Sequence, residues 1–348
     1  DEEIAWQAGD AGARLLVVEE RTTALAERTR LALPNLPIVS VDTLDATPES
    51  MTELHLSHDP AHVLAIIYTS GTTGRPKGAM LTVGNFGGSA VGSALNLVSD
   101  ASDRWLACMP LFHVGGLSIL LRAAIHGFAA VVHDGFDAHA VNRALHDEGV
   151  TMLSVVAVML QRMLDANDGR AYPSTLRCVL AGGGPVPRPL LERCATLGVP
   201  VVQTYGLTET CSQIATLAPE DALRRIGAAG RPLYPNELRV VRTSGEEADA
   251  GEAGEIVARG PVVMAGYAGQ PEATARALAG GWLHTGDIGH LDADGLLYLL
   301  DRRDDLIVTG GENVYPSEVE EALLAHRWVI EAAVIGLPDS QWGQRVVA

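Results

Sequence analysis

The segment YTSGTTGRPKG at residues 68–78 combines hydroxyl side chains, glycines and two cations. Glycines allow backbone N–H groups to approach an anion closely, and serine and threonine hydroxyls add further donors. Lysine and arginine supply positive charge for phosphate oxygens. This chemistry predicts a loop that binds a polyphosphate. Its candidate contacts are Thr69, Ser70, Gly71, Thr72, Thr73, Gly74 and Lys77.

Two residues of this segment argue against a P-loop kinase or ATPase. Gly71 and Lys77 have the P-loop spacing, but Pro76 stands at the position of the second glycine. Gly78 replaces the hydroxyl residue that binds Mg²⁺ in a P-loop. Because proline fixes φ, lacks an N–H and keeps Arg75 out of the helical region, we expect an open loop that does not close onto the N-terminus of a helix.

The segment QTYGLTET at residues 203–210 places an aromatic ring, a hydroxyl and a carboxylate close together. Tyr205 can stack on an adenine ring. Thr208 can donate a hydrogen bond to a phosphate, and Glu209 can bind Mg²⁺ through hard oxygen atoms. Thr208 also suits the N-cap of a helix, and the two roles are compatible. The segment predicts a second part of a nucleotide site.

Three other segments carry weaker chemical signals. Gly182, Gly183 and Gly184 directly follow an apolar segment, and ligands of α/β proteins bind where strands end in this way, although a tight turn explains the glycines equally well. Asp287, in WLHTGD, can accept two hydrogen bonds, which suits a vicinal diol. His113, in PLFH, would more often be a structural residue if it stood alone.

The composition bounds the class of protein. The chain has 348 residues, 47% of them hydrophobic and 20% charged, which is ordinary for a globular protein of two or three subdomains. Its net charge of −18 argues against a nucleic-acid partner, which would need a basic face. No run of 18 apolar residues occurs, so we expect no membrane span. The four cysteines lack CxxC or zinc-ligand spacing, so we interpret them as reduced thiols of a cytoplasmic protein. The sequence leaves open whether the protein forms a homo-oligomer.

The elements that must position these residues follow an alternating pattern up to residue 236. Short β-branched segments alternate with helical patterns, which predicts an α/β region at 1–236 with mostly parallel strands. Strands are predicted at 15–18, 63–68, 105–108, 130–133, 152–156, 176–180 and 199–203. Helices are predicted from about 19 to 33 and at 138–147, 159–166 and 187–197.

The pattern changes after residue 236. Short strands at 238–242, 255–258 and 295–300, separated by Gly- and Asp-rich turns, predict a β-rich subdomain at 237–300. The charged run DRRDD at 301–305 predicts a boundary. Beyond it, a helix at 316–324 and a strand at 329–335 predict a small, partial α+β domain at 306–348.

Taken in order, these segments resemble the motifs of a known superfamily. YTSGTTGRPKG, PLFH, AGGGP, QTYGLTET and WLHTGD, followed by GGEN at 310–313, are similar to the motifs of adenylate-forming enzymes. That superfamily contains acyl-CoA synthetases, luciferases and peptide-synthetase adenylation domains. The resemblance implies a large domain of parallel and mixed sheets with helices, a β-rich subdomain and a small C-terminal α+β domain.

The resemblance implies an AMP-forming acid–thiol ligase that uses ATP, Mg²⁺ and coenzyme A with a small carboxylic acid. The acid attacks the α-phosphorus, pyrophosphate leaves, and the CoA thiol then displaces AMP from the acyl-adenylate. Within this scheme Lys77 holds the β- and γ-phosphates, Thr208 serves the α-phosphate, Glu209 binds the metal, and His113 gates the acyl pocket.

The resemblance also assigns the remaining candidates. Tyr205, Asp287 and Arg302 are expected to hold the nucleoside, while Gly182, Gly183 and Gly184 lie against the adenine and the acyl group. Asp304 falls at the hinge about which the small domain rotates between the two half-reactions. Gly310 and Gly311 are expected to line the tunnel for the pantetheine arm of CoA.

The sequences of three segments indicate one branch of the superfamily. The segments MPLFHVGGL, QTYGLTETCSQIATL and GGENVYP resemble the branch that makes the CoA thioester of 2-succinylbenzoate for menaquinone synthesis. A medium-chain or aromatic acyl-CoA synthetase is the alternative. An alternative of another class is a protein that binds a nucleotide or an acyl-adenylate without turnover.

Both ends of the sequence lead us to expect a truncated chain. It begins at Asp1 without Met and ends within the apolar run Val346–Ala348. The resemblance places a lysine near the C-terminus that bridges the carboxylate and the α-phosphate, but Lys77 is the only lysine here. Removing one such group costs roughly 10²–10³ in rate. We therefore expect this chain to bind nucleotide and to adenylate weakly.

Overall fold

The computed structural model describes residues 2–43, 57–69, 76–302, 307–309, 312–324, 326, 328–329, 331–339 and 342–348. The first part contains α1 (Glu2–Asp10), β1 (Leu16–Val18), α2 (Thr23–Ala32) and β2 (Ile38–Ser40). β1 and β2 pair in parallel. The strand and helix predicted for residues 15–33 are confirmed, whereas α1 was not predicted.

The middle of the chain alternates strands and helices, as its sequence predicts. These elements are β3 (Val63–Thr69), β4 (Lys77–Thr82), α3 (Val83–Leu97), β5 (Arg104–Ala107), α4 (Val114–His126), β6 (Ala129–Val132), α5 (Ala138–Asp147), β7 (Met152–Val155), α6 (Ala157–Asp165), β8 (Cys178–Ala181), α7 (Arg188–Leu197) and β9 (Val201–Leu207). β6, β5, β7, β8 and β9 pair in parallel in that spatial order. The parallel α/β region is therefore confirmed.

The following strands are antiparallel and extend the same sheet. They and one helix are β10 (Ser212–Leu217), β11 (Ala228–Pro232), β12 (Glu237–Val241), β13 (Gly254–Arg259), β14 (Gly266–Tyr267), α8 (Pro271–Ala277), β15 (Leu283–Leu291) and β16 (Leu297–Arg302). Within the described residues the sheet has 11 strands, in the order β12-β13-β15-β16-β11-β10-β9-β8-β7-β5-β6. The β-rich residues therefore continue the α/β sheet, and the domain boundary at 236 stays a prediction.

A smaller antiparallel sheet, β14-β4-β3, carries the candidate phosphate loop. Thr69 at the end of β3 pairs with Lys77 at the start of β4. The loop between them leads into a strand, so the expectation that it does not close onto the N-terminus of a helix is confirmed. Val63 and Leu64 are partly exposed, so β3 is less buried than its apolar sequence suggests.

The last part forms its own sheet, β18-β17-β20-β19. Its elements are β17 (Ile307–Thr309), β18 (Glu312–Val314), α9 (Pro316–Leu324), β19 (Ile335–Asp339) and β20 (Gly343–Val347). The predicted helix is confirmed, but the strand predicted at 329–335 is wrong, because β19 only begins at Ile335. The backbone N–H of buried Val334 donates to Oε1 of Glu320 at 2.8 Å, so this segment docks onto α9 instead of pairing.

The core lies around the parallel strands. Trp105, Leu106, Leu153 and Val179 are fully buried, as expected where helices cover both faces of a parallel sheet. None of the helices in the described ranges is long and apolar enough to cross a bilayer. The sheet thus provides a rigid edge, formed by the carboxyl ends of β8 and β9, on which loops can be held.

A buried carboxylate ties together the opposite edge, where the parallel strands begin. Asp103 is 3% exposed, and its Oδ1 accepts hydrogen bonds from Nε of Arg177 at 2.7 Å and from the Thr151 hydroxyl at 2.9 Å. Arg177 also donates to the carbonyl of Leu97 at 2.6 Å, which links the end of α3 to the start of β8. Burial alone would raise the pKa of Asp103, but the Arg177, Asp100 N–H and Thr151 hydrogen bonds lower it overall.

We predict that Asp103→Asn lowers the free energy of unfolding at pH 7 by about 2–3 kcal/mol, because it weakens a buried charged hydrogen-bond network. Urea denaturation measures this free energy. Asp165→Asn is the control, because the ion pair of Asp165 with Arg193 is exposed. Its free energy of unfolding should lie within about 0.5 kcal/mol of wild type.

The same network sets the pH dependence of this difference. A depressed aspartate pKa contributes stability above the unfolded value of about 3.9, and this contribution disappears as the pH falls through the folded value. The gap between wild type and Asp103→Asn should therefore narrow below about pH 4. A gap that is constant between pH 7 and pH 3 contradicts the role given to Asp103.

Candidate active site

At the end of β9 the chain turns back on itself, so that Ser212 passes close to Gly206. We call the segment 206–212 the return. A Cβ atom on Gly206 would lie 1.7 Å from the carbonyl oxygen of Ser212, so only glycine allows this approach. Cys211 and Ser212 have φ values of +50° and +90°, which non-glycine residues rarely adopt. A short 3₁₀ helix, Thr208–Thr210, lies inside this return, with Leu207 as its N-cap. The expectation of an N-cap at Thr208 is wrong; Thr208 is the first helical residue.

Two residues predicted to bind phosphate and magnesium lie beside Tyr267. Its hydroxyl donates to Oε1 of Glu209 at 2.8 Å, and Nζ of Lys77 lies 5.4 Å from the centre of its ring. Pairing of Tyr267 with Ala79 in the β14–β4 ladder brings these residues together. Burial raises the pKa of Tyr267, and the charge of Glu209 raises it further, so the phenol stays a hydrogen-bond donor. Tyr267 itself was not predicted, since its contacts depend on pairing with a distant strand.

The oxygen ligands available near Tyr267 fit a magnesium ion shared with a nucleotide. In the ranges that the structure covers, no three His, Cys, Asp or Glu side chains form a metal cluster. Mg²⁺ is commonly held by one or two carboxylates together with substrate phosphates and water. Glu209, in the 3₁₀ helix that follows β9, could supply one such carboxylate.

Two residues predicted to bind the nucleoside contact each other directly. The Tyr205 hydroxyl donates to Oδ2 of Asp287 at 2.6 Å, and both side chains are largely buried. The backbone N–H of Asp287 donates to Oγ1 of Thr285 at 3.1 Å. Arg302 lies opposite Asp287 in the β15–β16 ladder. Burial, followed by the charge of Asp287, raises the pKa of Tyr205 well above its ordinary value.

The glycine segment lies beside β9. Ala181 at the end of β8 pairs with Gln203, and the methyl group of Thr204 is 3.1 Å from the position of a Cβ on Gly182. Gly183 adopts φ +76°, which favours glycine. The segment Gly182–Gly184 therefore passes next to the residue before Tyr205.

The other predicted residues are less closely connected. His113 is the exposed N-cap residue of α4, and its ring lies 4.4 Å from that of Phe112; its described contacts do not include Lys77 or Glu209. The hydroxyl of Thr69 donates to the carbonyl of Lys77 at 3.5 Å. The remaining candidates lie outside the described residues: Ser70, Gly71, Thr72, Thr73, Gly74, Asp304, Gly310 and Gly311.

A buried arginine behind the return was also not predicted. Arg122 is 2% exposed, its Nη2 donates to Oγ of Ser89 at 3.0 Å, and Ser89 donates to the carbonyl of Cys211 at 2.8 Å. Its guanidinium lies 5.6 Å from the centre of the Trp105 ring. Nε of Arg122 has no partner among the described residues, and burial lowers the pKa of Arg122 to about 10. The sequence feature that could have identified Arg122 is its position as a lone charged residue inside the apolar segment LSILLRAAI.

Comparison with known families and proteins agrees with this geometry. Residues 1–268 match the AMP-binding enzyme family, and residues 318–348 match the AMP-binding enzyme C-terminal domain. The chain belongs to the AMP-binding enzyme family.

Its relatives include ligases of one particular acid. The 2-succinylbenzoate–CoA ligase of Geobacillus kaustophilus (strain HTA426) is 51% identical over 342 residues, which are 98% of this chain and 68% of that protein. The o-succinylbenzoate CoA synthetase of Bacillus subtilis, solved with the acyl-adenylate intermediate OSB-AMP, superposes with a TM-score of 0.92 at 42% identity, covering 99% of this chain and 70% of that one. The structure of the same Bacillus subtilis enzyme in complex with ATP and a magnesium ion superposes with a TM-score of 0.90 at 41% identity, covering 99% of this chain and 71% of that one.

We predict that Gly206→Ala abolishes measurable nucleotide binding, because the new Cβ forces the Ser212 backbone away and displaces Thr208 and Glu209. Gly87→Ala is the matched control: its Cβ meets no atom within 4 Å, and alanine in α3 should stabilise by up to about 1 kcal/mol. Calorimetric titration with ATP measures both variants. Wild-type affinity in a folded Gly206→Ala protein contradicts the role given to the return.

Proposed function

We propose that this chain is an ATP-dependent acid–CoA ligase that converts 2-succinylbenzoate to 2-succinylbenzoyl-CoA through an acyl-adenylate. Identity of 46–51% to ligases of that name, over nearly the whole chain, carries the assignment. We also propose that it works in the cytoplasm, where its four cysteines, all buried and free, stay reduced.

The proposed reaction needs no protein nucleophile. A carboxylate oxygen of the acid attacks the α-phosphorus of ATP, and pyrophosphate leaves. The sulfur of CoA then attacks the acyl carbonyl, AMP leaves, and the thiol proton passes to solvent. Lys77 and Thr208 would neutralise phosphate charge, with Glu209 holding a magnesium ion that supplies further positive charge. The protein thus positions reactants and stabilises charge.

The nucleoside would be held around Tyr205, near the same carboxyl end of β9. Asp287 accepts from Tyr205 and has the acceptors needed for a ribose diol. Arg302 is proposed as a second ribose contact because it lies opposite Asp287 in the ladder. The glycines 182–184 would pass along the adenine and the acyl group. Residues 69–74 remain candidates for phosphate, Asp304 for the hinge, and Gly310 and Gly311 for the CoA tunnel.

The buried arginine favours a dicarboxylic acid over a fatty acid. 2-Succinylbenzoate carries two carboxylates, of which one reacts and the other stays negatively charged. A buried cation is costly unless an anion or several hydrogen bonds compensate it. Arg122 has no acidic partner in the part of the chain that is described, and it is linked through Ser89 to Cys211, which follows Thr208–Thr210. We propose that Arg122 receives the second carboxylate, which a medium-chain acid lacks.

Two acyl-adenylate analogues that differ by one carboxylate test this assignment. Non-hydrolysable analogues of 2-succinylbenzoate and of 4-oxo-4-phenylbutanoate, which lacks the ring carboxylate, are titrated calorimetrically. Wild type should prefer the first by roughly 10- to 100-fold, the strength of a charged hydrogen bond. Arg122→Met should lose the preference, whereas Arg188→Met, at an exposed arginine on α7, should keep it. Equal affinity of wild type for the two analogues would contradict the assignment of 2-succinylbenzoate as the substrate.

The ribose contact gives a second prediction. We expect wild type to bind ATP more tightly than 2′-deoxy-ATP, and Asp287→Asn to bind ATP about tenfold more weakly with little discrimination, since the amide is a poorer acceptor for the diol. Asp294→Asn, at an exposed aspartate between β15 and β16, serves as the control. Undiminished discrimination in Asp287→Asn would remove Asp287 from the ribose site.

A further inference from the structure

We propose that Tyr267 is a positioning residue that holds the carboxylate of Glu209 and the ammonium of Lys77 in place for magnesium and ATP phosphates. This inference rests on the proposed function for the identity of the ligand, Mg²⁺·ATP. It assigns Tyr267 no contact with the reacting atoms; its effect acts through the two charged residues.

The first support is the hydrogen bond between Tyr267 and Glu209. An ionised carboxylate only accepts hydrogen bonds, and the Tyr267 hydroxyl donates to its Oε1 at 2.8 Å. One carboxylate oxygen is therefore engaged, which fixes the orientation of the group toward a metal. Hydrogen-bond partners of this kind orient metal ligands in many proteins.

The second support is the position of the ring relative to Lys77. Nζ of Lys77 lies 5.4 Å from the ring centre, within the range of a cation–π contact. Among the ion pairs of the described residues, none joins Lys77 to Glu209. The same side chain thus contacts both opposite charges, the cation through its ring and the anion through its hydroxyl. Both charges remain separate and available for a ligand that carries phosphates and a cation.

The third support is the firm attachment of Tyr267 itself. Its backbone N–H donates to Oγ1 of Thr274 at 2.8 Å, and it pairs with Ala79 across the β14–β4 ladder. Gly266 before it adopts φ +141°, and a Cβ there would lie 2.6 Å from Cγ2 of Thr274. The backbone around Tyr267 is therefore held on both sides, which gives its side chain a defined direction.

The test measures ATP binding by calorimetry over a series of Mg²⁺ concentrations, without acid or CoA. Tyr267→Phe keeps the ring beside Lys77 and loses the donor to Glu209. We expect the Mg²⁺ concentration for half-maximal ATP binding to rise about tenfold, the lower range for loss of such a partner. Binding without Mg²⁺ should stay unchanged in Tyr267→Phe and weaken in Tyr267→Leu, which removes the ring as well.

Tyr298→Phe is the matched control, since Tyr298 stacks on His290 in β15 and β16 and is also half-buried. It should leave the Mg²⁺ dependence unchanged. If wild type binds ATP and Tyr267→Phe has the wild-type Mg²⁺ dependence, the inference is wrong while the proposed function stands. A uniform loss at every Mg²⁺ concentration with a lowered melting temperature also overturns it, since that is a structural effect. Absence of ATP binding by wild type overturns the proposed function and this inference with it.

Discussion

The backbone of Ser212 passes so close to Gly206 that a side chain at position 206 cannot fit, and the candidate site depends on this return. Tyr205 precedes it and reaches Asp287, while Glu209 lies within it and reaches Tyr267. The carbonyl of Cys211 at its end accepts from Ser89, which in turn contacts the buried arginine. One strained turn at the carboxyl end of a central strand therefore connects the residues that we propose for the nucleoside, the phosphates and the acid. Strain of this kind persists only where the surrounding structure fixes it.

Local positive charge matters in this protein because its net charge is −18. A triphosphate and a dicarboxylic acid are both anions, so each needs a cation near its binding position. Lys77, the only lysine of the chain, lies beside the ring of Tyr267 and is the cation that we propose for the phosphates. Arg122 is buried and is linked through Ser89 to the carbonyl of Cys211, and low polarity there strengthens its attraction for an anion. In the proposed reaction Lys77 would serve the phosphates of ATP, and Arg122 would serve the carboxylate of the acid that does not react.

The extent to which the sequence predicts this structure differs between local and distant contacts. Helix α5 has the predicted bounds because its apolar periodicity is local and Asp137 caps it at Ala140 N–H. The motif residues Tyr205 and Asp287 could be chosen for their chemistry, and the structure joins them. Tyr267 could not, because its role arises only when β14 pairs with β4. The strand predicted at 329–335 is wrong for a similar reason, since a distant glutamate binds its backbone.

A crystal structure of this chain with a non-hydrolysable adenylate of 2-succinylbenzoate would test these assignments most directly. We expect the ribose hydroxyls at Asp287, the phosphate mimic near Thr208, and the ring carboxylate within hydrogen-bond distance of the Arg122 guanidinium. Such a structure would show that one return of the chain serves all three ends of the ligand. A ring carboxylate directed to solvent, with Arg122 still without an anionic partner, would contradict it.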